Sequence, residues 1–271
     1  MGRATPPCDA MSEPGASGFT DLCVGVAVDV EFKIAASLLS GKSFSSQGMK
    51  ICRGMFGGRR ITILQSGMGA VGFAERLAKH LTNNRYDALI IAGLAGGLDP
   101  RLRVGDAVLY NLCYDARAID FSGGKHPDRE EVAATACNEQ LSGFLYAALT
   151  RSGLSFAKAP GITVGRIITD AKEKLALGAR YGAAAVDMET YEAIDACARL
   201  GLPAAALRVI SDEARRDIPD FNRVYNADGR INGWRTFAAM MARPAAALRL
   251  LLTVRRALQS LRANLRAAMG A

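Results

Sequence analysis

Short apolar runs recur along this chain with room for one helix between them, and this alternation restricts the fold more than any other feature. The runs are LCVGVAV from residue 22, RRITIL (59–64), DALIIAGL (87–94), DAVLYNLCY (106–114), GITVGRIIT (161–169) and AAALRVIS (204–211). Helical segments are expected after the first run to residue 39, at 70–82, at 138–152, in AKEKLALGARY, and in ETYEAIDACARLG closed by Gly201. MKICRGMFGGRRITILQS (49–66) reads as two strands turned at Gly57 and Gly58, and AAAVDM as a short strand. Strands that are apolar throughout are buried on both faces. The expectation is therefore an α/β fold: three-layer α/β/α with a central twisted, mostly parallel (mixed) sheet. Ligands in such folds bind beyond the carboxyl ends of the strands. That rule collects Glu31, Ser66 and Gly67, Gly93 to Gly97, Met188 and Glu189, and Ser211 and Asp212.

QSGMGAVG (65–72) places Gly67, Gly69 and Gly72 in a G-x-G-x-x-G spacing between a strand and a helix. A dinucleotide fingerprint also needs an acid at the end of the next strand to hold ribose hydroxyls. Here that strand ends in Ala92-Gly93-Leu94, and an earlier strand–helix unit already occupies the first position of the fold. Two readings of the glycines stay open: tight strand–helix packing, or close backbone approach to another ligand.

With 271 residues, half of them apolar and 22% charged, the chain suits one large domain. Six cysteines show no C-x-x-C pair, and several lie in apolar segments, which suggests reduced thiols and a cytoplasmic setting. Two histidines, His80 at an exposed helix end and His126 in a loop, offer little to a zinc site or a catalytic triad, so no metal is expected. Residues 1–19 read as a disordered tail without an apolar leader core, followed by a main domain over 20–232 and an extension over 233–271.

The net charge of +8 resides in the last 43 residues, where eight arginines and no acid occur. There Leu250, Val254, Leu258, Leu261, Leu265 and Met269 share one helical face, while Arg249, Arg255, Arg256, Arg262 and Arg266 cluster elsewhere. A basic amphipathic helix of this kind can lie on an anionic bilayer, such as the inner membrane. Packing on the protein's own core or on a neighbouring subunit is the other reading. Few aromatics interleave the cations, which argues against nucleic acid.

Carboxylates among small residues, without a strong nucleophile, suit general acid catalysis on a bond that is ready to ionise, such as an N-glycosidic bond. Acids at strand ends also cap helices, and Glu189 and Asp212 fit that role equally.

SGMGAVG, AGLAGGLDPRLRVGDAV (92–108) and VDMETYEAIDACARLGLPAAALRVISDEA (186–214), with the opening strand–helix unit, resemble the nucleoside phosphorylase and nucleosidase superfamily over residues 22–215. The resemblance implies a phosphorylase/hydrolase-like fold without a cofactor, apart from phosphate as a possible co-substrate, and assembly as a homodimer or larger. It implies Asp212 as the acid that protonates N7 of a purine with Ser211 beside it, and Met188 and Glu189 as sugar-binding residues. Ser66, Gly67, Gly69 and Gly93 would line the site of the attacking group, with Glu31 positioning a water; Asp29 is the alternative. Phosphorylases of the superfamily resemble R-[VI]-G-[ST] where this chain has Ile91-Ala92-Gly93-Leu94, which favours water over phosphate. The Phe that stacks on adenine in methylthioadenosine enzymes has no counterpart near IITDAKEK. GLDPRLRVGD, EFKIAA and the Arg-rich tail resemble hopanoid-associated phosphorylase-like proteins. That branch implies adenosylhopane as substrate, giving adenine and a ribosyl or phosphoribosyl hopane. A soluble methylthioadenosine/S-adenosylhomocysteine nucleosidase stays the alternative.

Overall fold

The computed structural model describes residues 18–46, 49–65, 67, 73–119, 128, 131–219 and 244–270, leaving out the side chains of 73–74 and 244–251. The first unit is β1 (Asp21–Val26) and α1 (Asp29–Ser37), followed by β2 (Ser40–Ser46), β3 (Lys50–Phe56), β4 (Arg59–Gln65) and α2 (Phe73–Asn83). Next come β5 (Ala88–Gly97), β6 (Ala107–Ala116), β7 (Ala134–Ala136), α3 (Glu139–Arg151) and β8 (Phe156–Val164). The remainder is α4 (Ala171–Tyr181), β9 (Ala185–Asp187), α5 (Thr190–Arg199), β10 (Ala204–Asp212) and a last helix, here α6 (Pro244–Gly270).

The strand order is β10-β6-β8-β9-β5-β1-β4-β3-β2, and β10 also pairs with β5. Strands β5, β10, β6, β8 and β9 thus close into a ring, from which β1, β4, β3 and β2 extend as an open sheet. The sheet is mixed. β1 runs parallel to β4 and β5, and β10 runs parallel to β5 but antiparallel to β6. Closure removes one edge from an apolar sheet that would otherwise be open to pairing.

Local chemistry accounts for the ends of several elements. Gly57 and Gly58 both have positive φ, 55° and 80°, as a two-residue hairpin turn between β3 and β4 requires. Asp170 caps α4 by accepting from the backbone of Lys172 and Glu173, and Gly182 ends it in the left-handed region. β8 begins and ends earlier than the sequence suggests, so RIITD is a connection. Its Gly161 lies under the Tyr110 ring, where a Cβ would stand 1.9 Å from a ring carbon. β2 escapes sequence reading because SGKSFSS is polar and largely exposed.

Other expectations change. Phe19, assigned to the tail, is buried against Phe144, and its carbonyl accepts from Arg59 Nε at 2.8 Å. His80 is buried, with Nε2 2.8 Å from the Tyr86 hydroxyl, because it sits on the inner side of α2. His126 lies outside the described residues. Cys23, Cys52, Cys113, Cys137 and Cys197 are free and buried.

The largest correction concerns α6. Its Ala257, Leu261, Leu265, Ala268 and Met269 are fully buried, and the helix packs on β10, α3, α1 and β5. The apolar stripe expected on a bilayer is, from Ala257 onward, covered by the protein's own core. Leu252, Arg255, Arg256, Arg262 and Arg266 remain exposed on its outer side. Among the described residues no helix is long and apolar enough to cross a membrane.

Candidate functional site

The carboxyl ends of β5 and β10 lie side by side, with Arg208 opposite Gly93 and Asp212 opposite Gly96. The register shifts between Ile210 and Asp212, so Ser211 is the extra residue of a bulge. A bulge re-aims neighbouring side chains, and the Ser211 hydroxyl reaches both the Ala95 carbonyl (3.1 Å) and Asp212 Oδ1 (2.7 Å). Two buried charge clusters follow from this arrangement, one around Arg208 and one around Asp212.

The first cluster starts in α1. Glu31 lies in the first turn, where its Oε2 accepts from the backbone of Ala27 (3.0 Å) and Val28 (3.1 Å) and so caps the helix. Its Oε1 accepts from Leu94 N across the sheet at 2.8 Å. A Cβ on Gly93 would come within 2.8 Å of both Glu31 Oε1 and Arg208 Nη1. Gly93 is therefore glycine because a side chain there would collide with both groups, a tighter reason than freedom for a ligand. Burial pushes the Glu31 carboxyl above its ordinary value, opposed by its three backbone donors and Arg208. Asp29 points elsewhere: its carboxylate is half exposed and pairs with Lys33 and Lys50.

Arg208 lies in the middle of an apolar strand with 1% of its surface exposed. Its Nε and Nη2 donate to Thr190 Oγ1 at 3.0 and 2.7 Å. Asp187 Oδ2 lies 3.4 Å from Nε, and Glu189 Oε2 lies 3.5 Å from Nη2. Burial opposes the guanidinium charge, yet Asp187, Glu189 and Glu31 outweigh it and push its pKa further up. Asp187 does the capping that the sequence offered to Glu189: its Oδ1 accepts from Glu189 N (3.1 Å), Thr190 N (2.9 Å) and Thr163 Oγ1 (2.9 Å). Thr190 Oγ1 donates to Asp187 Oδ2 at 2.6 Å. Glu189 makes no such cap, and its carboxylate faces Arg208.

In the second cluster, Asp212 Oδ2 accepts from Lys174 Nζ of α4, with both side chains buried. Nζ also donates to the Arg216 carbonyl at 3.1 Å. A Cβ on Gly97 would meet the Asp212 carbonyl oxygen at 2.9 Å, and one on Gly96 would meet Val186 Cγ1 at 3.1 Å.

Of the residues chosen from the sequence, Glu31, Gly93 and Glu189 gather around Arg208, and Ser211 and Asp212 adjoin at the end of β10. Met188 is half-buried beside Glu189, and Gly67 donates to the Ala27 carbonyl at 3.0 Å with φ 82°. Ser66 and Gly69 lie outside the described residues. Arg208, Asp187 and Lys174 were not selected. A cation inside AAALRVIS was the available signal for Arg208. Lys174 gave itself away by sharing a helical stripe with Leu177 and Tyr181. Among the described residues, no group of three or more His, Cys, Asp or Glu side chains could hold a metal ion.

A partly closed mixed sheet with buried carboxylates at its strand ends defines a class of α/β enzyme. Residues 21–247 match the model of the phosphorylase superfamily, and the chain belongs to that family. It is 27% identical over 226 residues to the 5'-methylthioadenosine/S-adenosylhomocysteine nucleosidase of Mycobacterium bovis, covering 73% of this chain and 84% of that protein. The Marinomonas sp. protein of the same name is 30% identical over 172 residues, 61% of this chain and 74% of that one. The Neisseria meningitidis nucleosidase of that name, solved with methylthio-immucillin-A, superposes with a TM-score of 0.70 at 18% identity, covering 93% of this chain and 99% of that one. Futalosine hydrolase of Helicobacter pylori superposes at 0.62 with 20% identity, covering 89% and 96%. The protein is an enzyme of the nucleosidase and nucleoside phosphorylase kind.

Proposed function

We propose that the chain hydrolyses the N-glycosidic bond of an adenine nucleoside, with adenosylhopane as substrate, releasing adenine and a ribosyl hopane. Asp212 delivers a proton to the departing base beside Ser211, and Glu189 and Met188 hold the sugar. Glu31 and Arg208, an acceptor and a donor that both flank Gly93, hold the attacking water. The observation that carries the choice of water is the charge around Arg208: Glu31, Asp187 and Glu189 surround one guanidinium. That surplus of negative charge repels an incoming phosphate and favours the cation that develops on the sugar.

The lipid part of the reading rests on the resemblance of GLDPRLRVGD and the Arg-rich tail to the hopanoid-associated branch. The exposed arginines of α6 support attachment to an anionic membrane surface by charge, each near the surface contributing about 1 kcal/mol. Assembly as a homodimer or larger belongs to the same reading. The names of the curated relatives favour a second substrate, methylthioadenosine or S-adenosylhomocysteine.

Chromatographic detection of adenine from detergent-dispersed adenosylhopane, with and without phosphate, tests the proposal, with methylthioadenosine run in parallel. Release without phosphate from the hopanoid is expected. A strict need for phosphate would overturn hydrolysis, and cleavage of methylthioadenosine alone would transfer the site to the second substrate.

A further inference from the structure

An ammonium group is costly to bury, by several kcal/mol even after relaxation, yet Lys174 is fully buried. The period of α4 puts it there, on the stripe with Leu177 and Tyr181, where an alkyl side chain would fill the space. Its Nζ donates to Asp212 Oδ2 and the Arg216 carbonyl. Among the described residues, Asp212 Oδ1 accepts only from the Ser211 hydroxyl, whose single hydrogen also has Ala95 O within reach. Oδ1 is therefore the oxygen readiest to change partner.

A carboxylate paired in this way has no proton of its own to give. N7 of a purine is also an acceptor, so an ionised Asp212 facing it would set two acceptors together. The transferable proton of the pair is on Lys174. We propose that Lys174 is a positioning residue that supplies the proton Asp212 delivers to the base; this rests on reading Asp212 as the acid. As the sugar–N9 bond breaks, its electron pair stays with the purine. An Nζ–H bond breaks while an O–H bond forms on Asp212 Oδ2; the carboxyl then turns, giving up the Ser211 contact, so that this O–H faces the base and breaks as N7–H forms. Lys174 is left as a neutral amine and regains a proton from solvent, balanced by the proton that the attacking water gives up.

The experiment measures binding of adenine and of 7-deazaadenine, which carries C–H in place of N7, to the full chain by titration calorimetry at about pH 8 and about pH 5.5. Wild-type protein should prefer adenine about tenfold at both values, the worth of one buried hydrogen bond. Lys174→Met, which has no ammonium to supply the proton, should keep less of the preference at the higher pH than at the lower. Lys174→Arg keeps the charge but does not release a proton, so it should lose the preference at both. Rescue by Lys174→Arg, or a Lys174→Met preference independent of pH, would overturn the relay and leave Lys174 a structural cation. Lys174→Gln, which still donates to Arg216, replaces the Met variant if that one does not fold. Wild-type protein that binds neither base would remove the purine site, and the relay with it.

Discussion

The two buried charge clusters differ in how they are held. Around Arg208, three carboxylates, Thr190, Thr163 and three α1-capping or cross-sheet backbone contacts interlock, so each group has several partners. Around Asp212, the described residues pair one lysine with one carboxylate. The first arrangement fixes geometry, because no member can move without stranding another. The second leaves a proton able to move between two groups, because only one contact has to change.

The sharpest break in this comparison is Arg208→Met. It removes the cation that faces Glu31, Asp187 and Glu189 and should cost about 3–5 kcal/mol in denaturant unfolding, more than Lys174→Met, which takes a cation from one carboxylate. Equal losses would show that the clusters do not differ in this way. Next comes pH. Because the Glu31 carboxyl is raised, the fold prefers it protonated: its contribution to stability is complete below about 4.5 and is lost as pH climbs through the folded value. Water positioning needs the ionised form, so adenine release should fall on the acid side at a pH above 4.5. Asp29→Asn should leave that limb in place, and a shift of the limb in Asp29→Asn would move the role to Asp29. The smallest expected effect is Thr163→Val, which removes one donor to Asp187 and one acceptor for Tyr191 N. Thermal unfolding should report about 1–2 kcal/mol, with the purine preference of the Asp212 cluster unchanged.

Strand–helix alternation was legible because period and burial agree along β1, β4, β5 and β10. Glu31, Glu189 and Asp212 could be selected because strand ends are where such sheets collect polar groups. Ring closure was not legible: the pairing of β10 with both β5 and β6 depends on contacts far apart in sequence, which no local pattern encodes. Arg208 and Lys174 lie inside apolar stripes, and their positions are explained only by carboxylates contributed by other elements. The apolar face of α6 was visible, but its periodicity is the same for a helix that meets a bilayer and one that meets a core.

The ring has a temporal side. Ala92 pairs with Leu207, and Arg208 and Asp212 enter the site on the same strand. Contacts between such distant segments bear a large loop-closure entropy and tend to form late. A refolding chain would thus build its β2–β3 and β3–β4 hairpins first and acquire its charged centre near the end. Recovery of nucleoside binding would then lag behind recovery of secondary structure, with the last strand inserted acting as the clock.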